Sequence, residues 1–329
     1  MILPGTTLST MITLVENITD VAKAPGEIRA GGTDLQERLR SRISRSPIVD
    51  ISRLPGLKSI EHYAEGTTLG ALTKVADLGR HPHIMNNYPA LAMPAQLLAT
   101  PQIREMATLG GVLCQRNRCW YYRNPHFSCY KKGGDGCPAR AGNYELGTCV
   151  DSGPCIAPHP SSVGLALLTY DAELEVTGRG RINVTDLYGD GSDPTHDHTL
   201  QPGEMITHVY LPPAAAHERG GYHRLMSRAL AEWPLVEVVV RLMLDGDTIS
   251  QAKVAINGMA NIPLRLPAVE DNLIGKKTTD QVFEAAAAIA TKGIVPLPQT
   301  AYKVGMIRSG IVAAMTTARD HTPGEKLML

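Results

Sequence analysis

Apolar positions fall into short runs separated by glycine and proline, and the chain switches repeatedly between an alternating and a helical period. "EIRAGGTDLQERLRSR" begins with alternation from Glu27 to Ala30, breaks at Gly31 and Gly32, and continues with helical spacing. It predicts a short strand, a glycine turn and a helix opening near Thr33 or Asp34, with Asp34 as the natural cap. "SPIVDIS" predicts a second short strand. "TTLGALTKVADLGRH" repeats the scheme, with a strand, Gly70 and a helix capped by Thr73. A third helix is expected from Ala90 to Leu98, ahead of the break at Pro101. "PSSVGLALLTYDAELEV" reads as a helix followed by a strand, and "GEMITHVYLP" as a strand stopped by Pro212 and Pro213.

From Tyr222 the texture changes. "PLVEVVVRLMLDGDTISQAKVAINGM" is two β-rich runs joined by Asp245-Gly246-Asp247, a hairpin signal. Alanine-rich helices are expected at about 278–290 and 300–318. The segment "PPAAAHERGG" (212–221) is the candidate linker. The fold class is therefore α+β, with an N-terminal α/β part and a C-terminal sheet-and-helices part. A chain of 329 residues is long for one core, which agrees with two or three domains.

Composition narrows the function classes. The 32 basic and 32 acidic residues cancel, so global charge favours neither nucleic acid nor an anionic membrane. No stretch of about 18 apolar residues exists to span a bilayer. The N-terminus lacks a basic n-region and a small-residue cleavage site, so no signal peptide is expected. The simplest compartment is the cytoplasm, where thiols stay reduced; periplasmic export with a signal-bearing partner is compatible with the same reading.

The six cysteines all lie between Cys114 and Cys155, at intervals of x4, x9, x7, x11 and x5. Their segment is polar and glycine-rich without a sustained period, and reads as a long ordered insertion of the kind that carries function. Structural zinc sites open with tighter C-x2-4-C pairs, and only the first interval touches that range. Dispersed cysteines on a wrapping loop suit a cubane iron–sulfur cluster, whose irons take thiolates from different directions. Zinc and disulfides or free thiols stay open beside it. Between Arg116 and Lys132 lie five basic and no acidic residues, interleaved with Trp120, Tyr121, Tyr122, Phe127 and Tyr130. That mixture is a candidate platform for single-stranded nucleic acid; the simpler reading has the aromatics wrapping a cofactor while the cations face solvent or a partner.

Three glycine or serine turns complete the inventory. Gly31 and Gly32, Gly110 and Gly111, and "PHPSSVG" each allow a backbone to approach a phosphate at a helix start. Neither G-x-G-x-x-G nor a P-loop occurs, so a nicotinamide-binding Rossmann domain is not supported. His159 lies between two prolines and reads as structural. No catalytic acid or base stands out.

Taken in order, "IRAGGTDLQERLR", "TTLGALTKVADL", "PQIREMATLGGVLCQ", "GEMITHVYLP" and "AINGMANIPLRLPAVEDNLIGK" resemble the flavin (medium) subunits of the molybdenum hydroxylase, or xanthine oxidase, family. The insertion, opened by "RCWYY" and closed by "CIAPHPS", resembles those members that carry an extra 4Fe–4S cluster, such as 4-hydroxybenzoyl-CoA reductase and bacterial aldehyde oxidoreductases. The resemblance implies a two-part FAD-binding domain of the vanillyl-alcohol-oxidase (PCMH) type over 1–215, with lobes 1–58 and 59–215 and the insertion at about 114–158, and a C-terminal domain over 222–329. It implies FAD on Ala30, Gly31, Gly32, Thr33, Asp34, Leu35, Thr108, Leu109, Gly110, Gly111, Ser161, Ser162, Ile206 and Arg224. It assigns the cluster to Cys119, Cys129, Cys137 and Cys155. Cys114 belongs to the flavin-side motif, and Cys149 stands where related chains often have serine. Val112 replaces the family's usual asparagine, Ser162 a common aspartate and Arg224 a common lysine. The implied role is electron transfer through FAD between a partner's 2Fe–2S clusters and an external acceptor. Those partners would be a molybdenum large subunit and a 2Fe–2S small subunit, in an αβγ or (αβγ)2 assembly. A self-contained FAD oxidoreductase is the alternative.

Overall fold

The computed structural model describes residues 11–228 and 231–326; the N-terminal stretch in which no signal peptide is expected falls mostly outside them. Three sheets organise the chain. A small parallel sheet places Ile48–Asp50 between Ile12–Leu14 and Glu27–Arg29. A five-stranded antiparallel sheet runs in the order Ile60–Tyr63, Gly66–Gly70, Ile206–Leu211, Glu173–Val176, Gly180–Asn183. A four-stranded antiparallel sheet orders Leu264–Arg265, Thr248–Asn257, Val236–Asp245 and Glu218–Leu225. No described helix is long and apolar enough to cross a membrane.

The expected elements form close to where the pattern puts them. The strand, turn and helix at the start become Glu27–Arg29 and Leu35–Arg40, and the third helix becomes Pro89–Leu97. The hairpin pairs Asp245 with Thr248 at its turn. The two alanine-rich helices become Asp280–Thr291 and Lys303–Asp320 and cover the C-terminal sheet. One cap differs: the Thr73 hydroxyl donates to the Ser59 carbonyl, and Lys74 takes the N-cap place of Val75–Arg80.

Each sheet packs its own core. The largest gathers Leu69, Val163, Leu165, Leu174 and Val209 around the helices Pro89–Leu97 and Ser162–Thr169. The smallest surrounds Val49, Leu54 and Leu57, and it includes Leu72 and Met205 from beyond residue 59. The first lobe therefore completes its core with side chains of the second and has no separate means of burying its apolar face.

The candidate linker is partly a strand. Residues 218–221 belong to Glu218–Leu225, which lies against Pro89–Leu97 on one side and Lys303–Asp320 on another. A Cβ on Gly220 would meet the Ala90 amide nitrogen at 2.4 Å, and one on Gly221 would meet the Ala314 carbonyl oxygen at 1.9 Å. Glycine is used here for close helix–strand approach, and its pairing in sequence resembles a flexible joint. A buried polar group fixes the same junction. Arg241 Nε donates to Glu218 Oε2 at 2.8 Å, and the Tyr170 hydroxyl donates to Glu218 Oε1 at 2.6 Å while accepting from the Ala90 amide.

Candidate functional site

The strand Glu27–Arg29 delivers the chain into Gly31 and Gly32 at the edge of the small sheet. Gly32 has φ +71°, a conformation that glycine adopts without penalty. A Cβ on Gly31 would lie 2.0 Å from the Met106 carbonyl oxygen, so this turn presses directly on the end of Pro101–Met106. Thr108 then caps Leu109–Leu113, its hydroxyl accepting from the Gly111 amide at 3.3 Å. The two glycine pairs face a shared cleft of about 470 Å³. Ala30, Gly31, Gly32, Thr33, Asp34, Leu35, Thr108, Gly110, Gly111 and Ile206 all line it.

The remaining expected residues lie elsewhere. Leu109 and Val112 point into the core, so Val112 takes a packing position. The Ser161 hydroxyl caps Ser162–Thr169 by accepting from the Gly164 amide at 3.0 Å, and both serines are buried. Arg224 donates to the carbonyls of Leu97 and Glu232.

Asp34 does not cap its helix. Its carboxylate accepts from Arg38 Nε at 3.0 Å, from Arg123 Nη2 at 2.6 Å and from Arg118 Nη1 at 3.4 Å. The backbone N–H of Arg116 also points to it. Three guanidinium groups outcompete a single cap hydrogen bond because each brings a full positive charge to the carboxylate, where a backbone N–H brings only a dipole. The basic insertion is thus turned inward and not toward solvent. Arg118 also reaches Glu37 at 2.6 Å, Lys131 reaches Asp197 at 3.0 Å, and Lys132 donates to the carbonyls of Tyr121 and Asn124. Burial raises the Asp197 carboxyl, but Lys131 and Arg116 outweigh it and hold that carboxyl below its ordinary value.

Inside this framework Cys119, Cys129, Cys137 and Cys155 line one small cavity with Asn117, Tyr122 and Lys131. The four thiols approach it from different short pieces. Cys119 precedes Trp120–Arg123, Cys129 precedes the single turn Tyr130–Lys132, Cys137 precedes the turn Pro138–Ala141, and Cys155 sits on the irregular backbone that leads out of the loop. Among the described residues no three Cys, His, Asp or Glu side chains converge tightly enough to chelate a lone metal ion. The thiols surround a space and do not meet at a point. Burial pushes the Cys155 thiol up to about 11 and raises that of Cys119, so both are neutral without a cation between them. Cys114 instead lines the cleft of the glycine turns. Cys149 is fully buried in the C-terminal core, its amide donating to Gly258 and its carbonyl accepting from Leu297.

His159 is buried with its ring 4.2 Å from that of Tyr188, burial drives its pKa down to about 3, and its Nε2 is buried without a hydrogen-bond partner among the described residues. Sequence reading missed one whole wall of the cleft. Arg116, His196, His198 and the stretch 200–205 line it, next to the expected Ile206. Burial and then the nearby Arg116 charge lower His198 to about 3. The Nδ1 of this neutral ring is buried without a hydrogen-bond partner among the described residues. The loop 189–201 has no hydrophobic period, so nothing local marked it.

Residues 5–214 match the model of the FAD-binding domain in molybdopterin dehydrogenase, and residues 221–317 match the CO dehydrogenase flavoprotein C-terminal domain. The chain belongs to this family of flavin subunits. The aldehyde oxidoreductase FAD-binding subunit PaoB of Escherichia coli is 30% identical over 93% of this chain and 96% of that protein. The carbon monoxide dehydrogenase medium chain of Hydrogenophaga pseudoflava is 24% identical over 80% of this chain and 77% of its own. Among solved structures, carbon monoxide dehydrogenase from H. pseudoflava superposes with a TM-score of 0.73, at 21% identity, covering 94% of this chain and 96% of that one. Quinoline 2-oxidoreductase from Pseudomonas putida gives 0.72 at 19% identity, over 94% of this chain and 96% of that one. This flavin-subunit family thus shares its α+β fold with the present chain throughout.

Proposed function

We propose that this chain is the electron-transferring flavin subunit of a heteromeric molybdenum-containing hydroxylase or dehydrogenase, passing electrons between a partner's 2Fe–2S clusters and an external acceptor. The observation that carries the reading is the cleft in which two glycine turns face each other. Gly31, Gly32, Gly110 and Gly111 line it without side chains, which would let a pyrophosphate come close to the backbone. Ala30 to Leu35, Thr108, Gly110, Gly111 and Ile206 would hold the FAD. Leu109, Ser161, Ser162 and Arg224, which the resemblance also assigns to FAD, lie outside the lining of this cleft, in packing, capping and carbonyl-binding positions. His198 would present its unpartnered nitrogen to the cofactor. When bound, FAD supplies the exchange between one-electron and two-electron chemistry.

The four thiols at one cavity support a 4Fe–4S cluster on Cys119, Cys129, Cys137 and Cys155. Their spread around a space agrees with a body larger than one ion, and Lys131 and Lys132 beside them would offset the negative charge of four thiolates. The division into an FAD-binding domain over 1–215, with its lobes at 1–58 and 59–215 and the insertion at about 114–158, and a C-terminal domain over 222–329 belongs to the same proposal.

Substrate chemistry would occur on the molybdenum large subunit, with the 2Fe–2S small subunit between, in an αβγ or (αβγ)2 assembly. The inward turn of the basic residues, held by Asp34, Glu37, Asp197 and buried carbonyls, speaks against a nucleic-acid platform. The test is anaerobic mixing of the purified flavin-loaded chain with aldehydes or N-heteroaromatic substrates. The flavin absorbance should stay unchanged until the partner subunits are added. Bleaching by substrate alone would replace this reading with the self-contained oxidoreductase.

A further inference from the structure

The chain has two tryptophans, Trp120 and Trp233, and both line one cavity of about 590 Å³ outside the glycine-turn cleft. They are 61% and 41% exposed, unusual for the largest apolar side chain, because they form its walls and not the core. Leu146, Ile156 and Pro158 continue the apolar surface. Cys119 and Tyr121 line both this cavity and that of the four thiols, so an occupant here lies one side chain away from them.

The charges decide what kind of molecule fits. The two guanidinium groups in the lining already hold carboxylates: Arg118 meets Asp34 and Glu37, and Arg228 meets Glu232 at 2.6 Å. His159, also in the lining, is neutral. Both cations are already paired, so a neutral ligand leaves the lining as it is, whereas a pyrophosphate would have to compete for them. A flat, neutral, conjugated molecule is suited to the tryptophans instead, and Arg118, stacked 4.7 Å from the Trp233 ring centre, brings N–H donors to the edge of that surface.

We propose that this cavity binds a neutral quinone of naphthoquinone size as the external electron acceptor. The proposal rests on the reading of the chain as an electron-transfer subunit and names the acceptor class. The quinone gains two electrons, supplied through the subunit's own redox cofactors, and two protons from water at the cavity mouth, and leaves as the hydroquinone.

Because both tryptophans face the cavity, their emission reports its occupancy without any turnover. Titrating 2-methyl-1,4-naphthoquinone into the flavin-loaded full chain should quench that emission saturably, and equilibrium dialysis should count about one quinone per chain. Leu146→Glu, at a partly exposed position that tolerates charge, should raise the dissociation constant at least tenfold with flavin content unchanged. Trp120→Ala should do the same, and Trp120→Phe should retain binding. NADH should leave the emission unaltered. Unaltered quinone binding in Leu146→Glu, or no quinone retained on dialysis, overturns the proposal. So does saturable quenching by NADH, or quinone binding seen only after the flavin is stripped, which would give the cavity to the flavin ring. Flavin binding is read separately by absorbance. A chain that takes quinone but no flavin would defeat the flavin reading and leave the cavity a quinone-binding site with no acceptor role.

Discussion

Arg123 Nη2 lies 2.6 Å from Asp34 Oδ1, an ion pair across 89 residues that fastens the cysteine loop to the first glycine turn. Both side chains are about nine-tenths buried or close to it, at 10% and 16% exposed. Removing one partner of such a pair costs about 3–5 kcal/mol, because the other charge stays buried. Asp34→Asn should therefore lower thermal stability, weaken flavin binding at least tenfold and reduce iron content together. Glu37→Gln, at a more open site, should cost less than about 1 kcal/mol. Flavin and iron titres for the two variants decide it. Full loading of both cofactors in Asp34→Asn would show that the network merely decorates the turn.

Four of the six thiols should be needed for iron. With one 4Fe–4S cluster, about four irons per chain are expected. Serine at Cys119, Cys129, Cys137 or Cys155 should abolish them. Cys114→Ser and Cys149→Ser should keep them, although burying a hydroxyl at Cys149 should cost about 1–3 kcal/mol. Iron lost from Cys149→Ser but kept in Cys155→Ser would reassign the fourth ligand.

The two glycines of the first turn should fail for different reasons and to different extents. Gly31→Ala drives a methyl into the Met106 carbonyl and should separate the lobes, emptying the flavin site. Gly32→Ala meets only the Arg29 side chain, at 3.5 Å, and suffers the left-handed strain of about 1–2 kcal/mol. Flavin bound per chain should rank wild type, then Gly32→Ala, then Gly31→Ala. The reverse order for the two variants would be inconsistent with this packing.

Lys303 gives a pH signature. It is fully buried, its ammonium donates to the Gly147 carbonyl at 2.6 Å, and burial lowers its pKa to about 8 from 10.5. The native state thus binds fewer protons than the unfolded chain between about pH 8 and 10.5, and this residue's contribution to stability rises with pH across that window. The full gap corresponds to about 3 kcal/mol. Unfolding of wild type and Lys303→Met should be compared from pH 7.5 to 10.5. The difference between them should shift toward wild type by an amount of that order, and a difference independent of pH rejects the assignment.

Local chemistry made much of the fold readable. The Asp-Gly-Asp hairpin and the strand–glycine–helix openings are decided by residues that are neighbours in sequence, and they form at the expected places. What escaped was set by distant partners. Asp34 has the local pattern of a cap, and only folding brings Arg118 and Arg123 to it. The cations of the insertion look solvent-facing in sequence because their carboxylates, Glu37 and Asp197, lie far along the chain. The cleft wall at 196–202 carries no period to mark it. The four clustered thiols were singled out through the resemblance, since spacing alone left zinc, disulfides and free thiols open.

The glycine pair at Gly220 and Gly221 bears on how the molecule can be taken apart. A protease that prefers loose joints should leave "ERGG" (218–221) uncut, since those residues are a sheet strand pressed between helices. Severing the gene there would leave one fragment without an edge strand and the other with an unpaired one, and neither half would be expected to survive as a soluble module. Workable breakpoints lie earlier, at Pro213 to Ala216, where the backbone runs between strands.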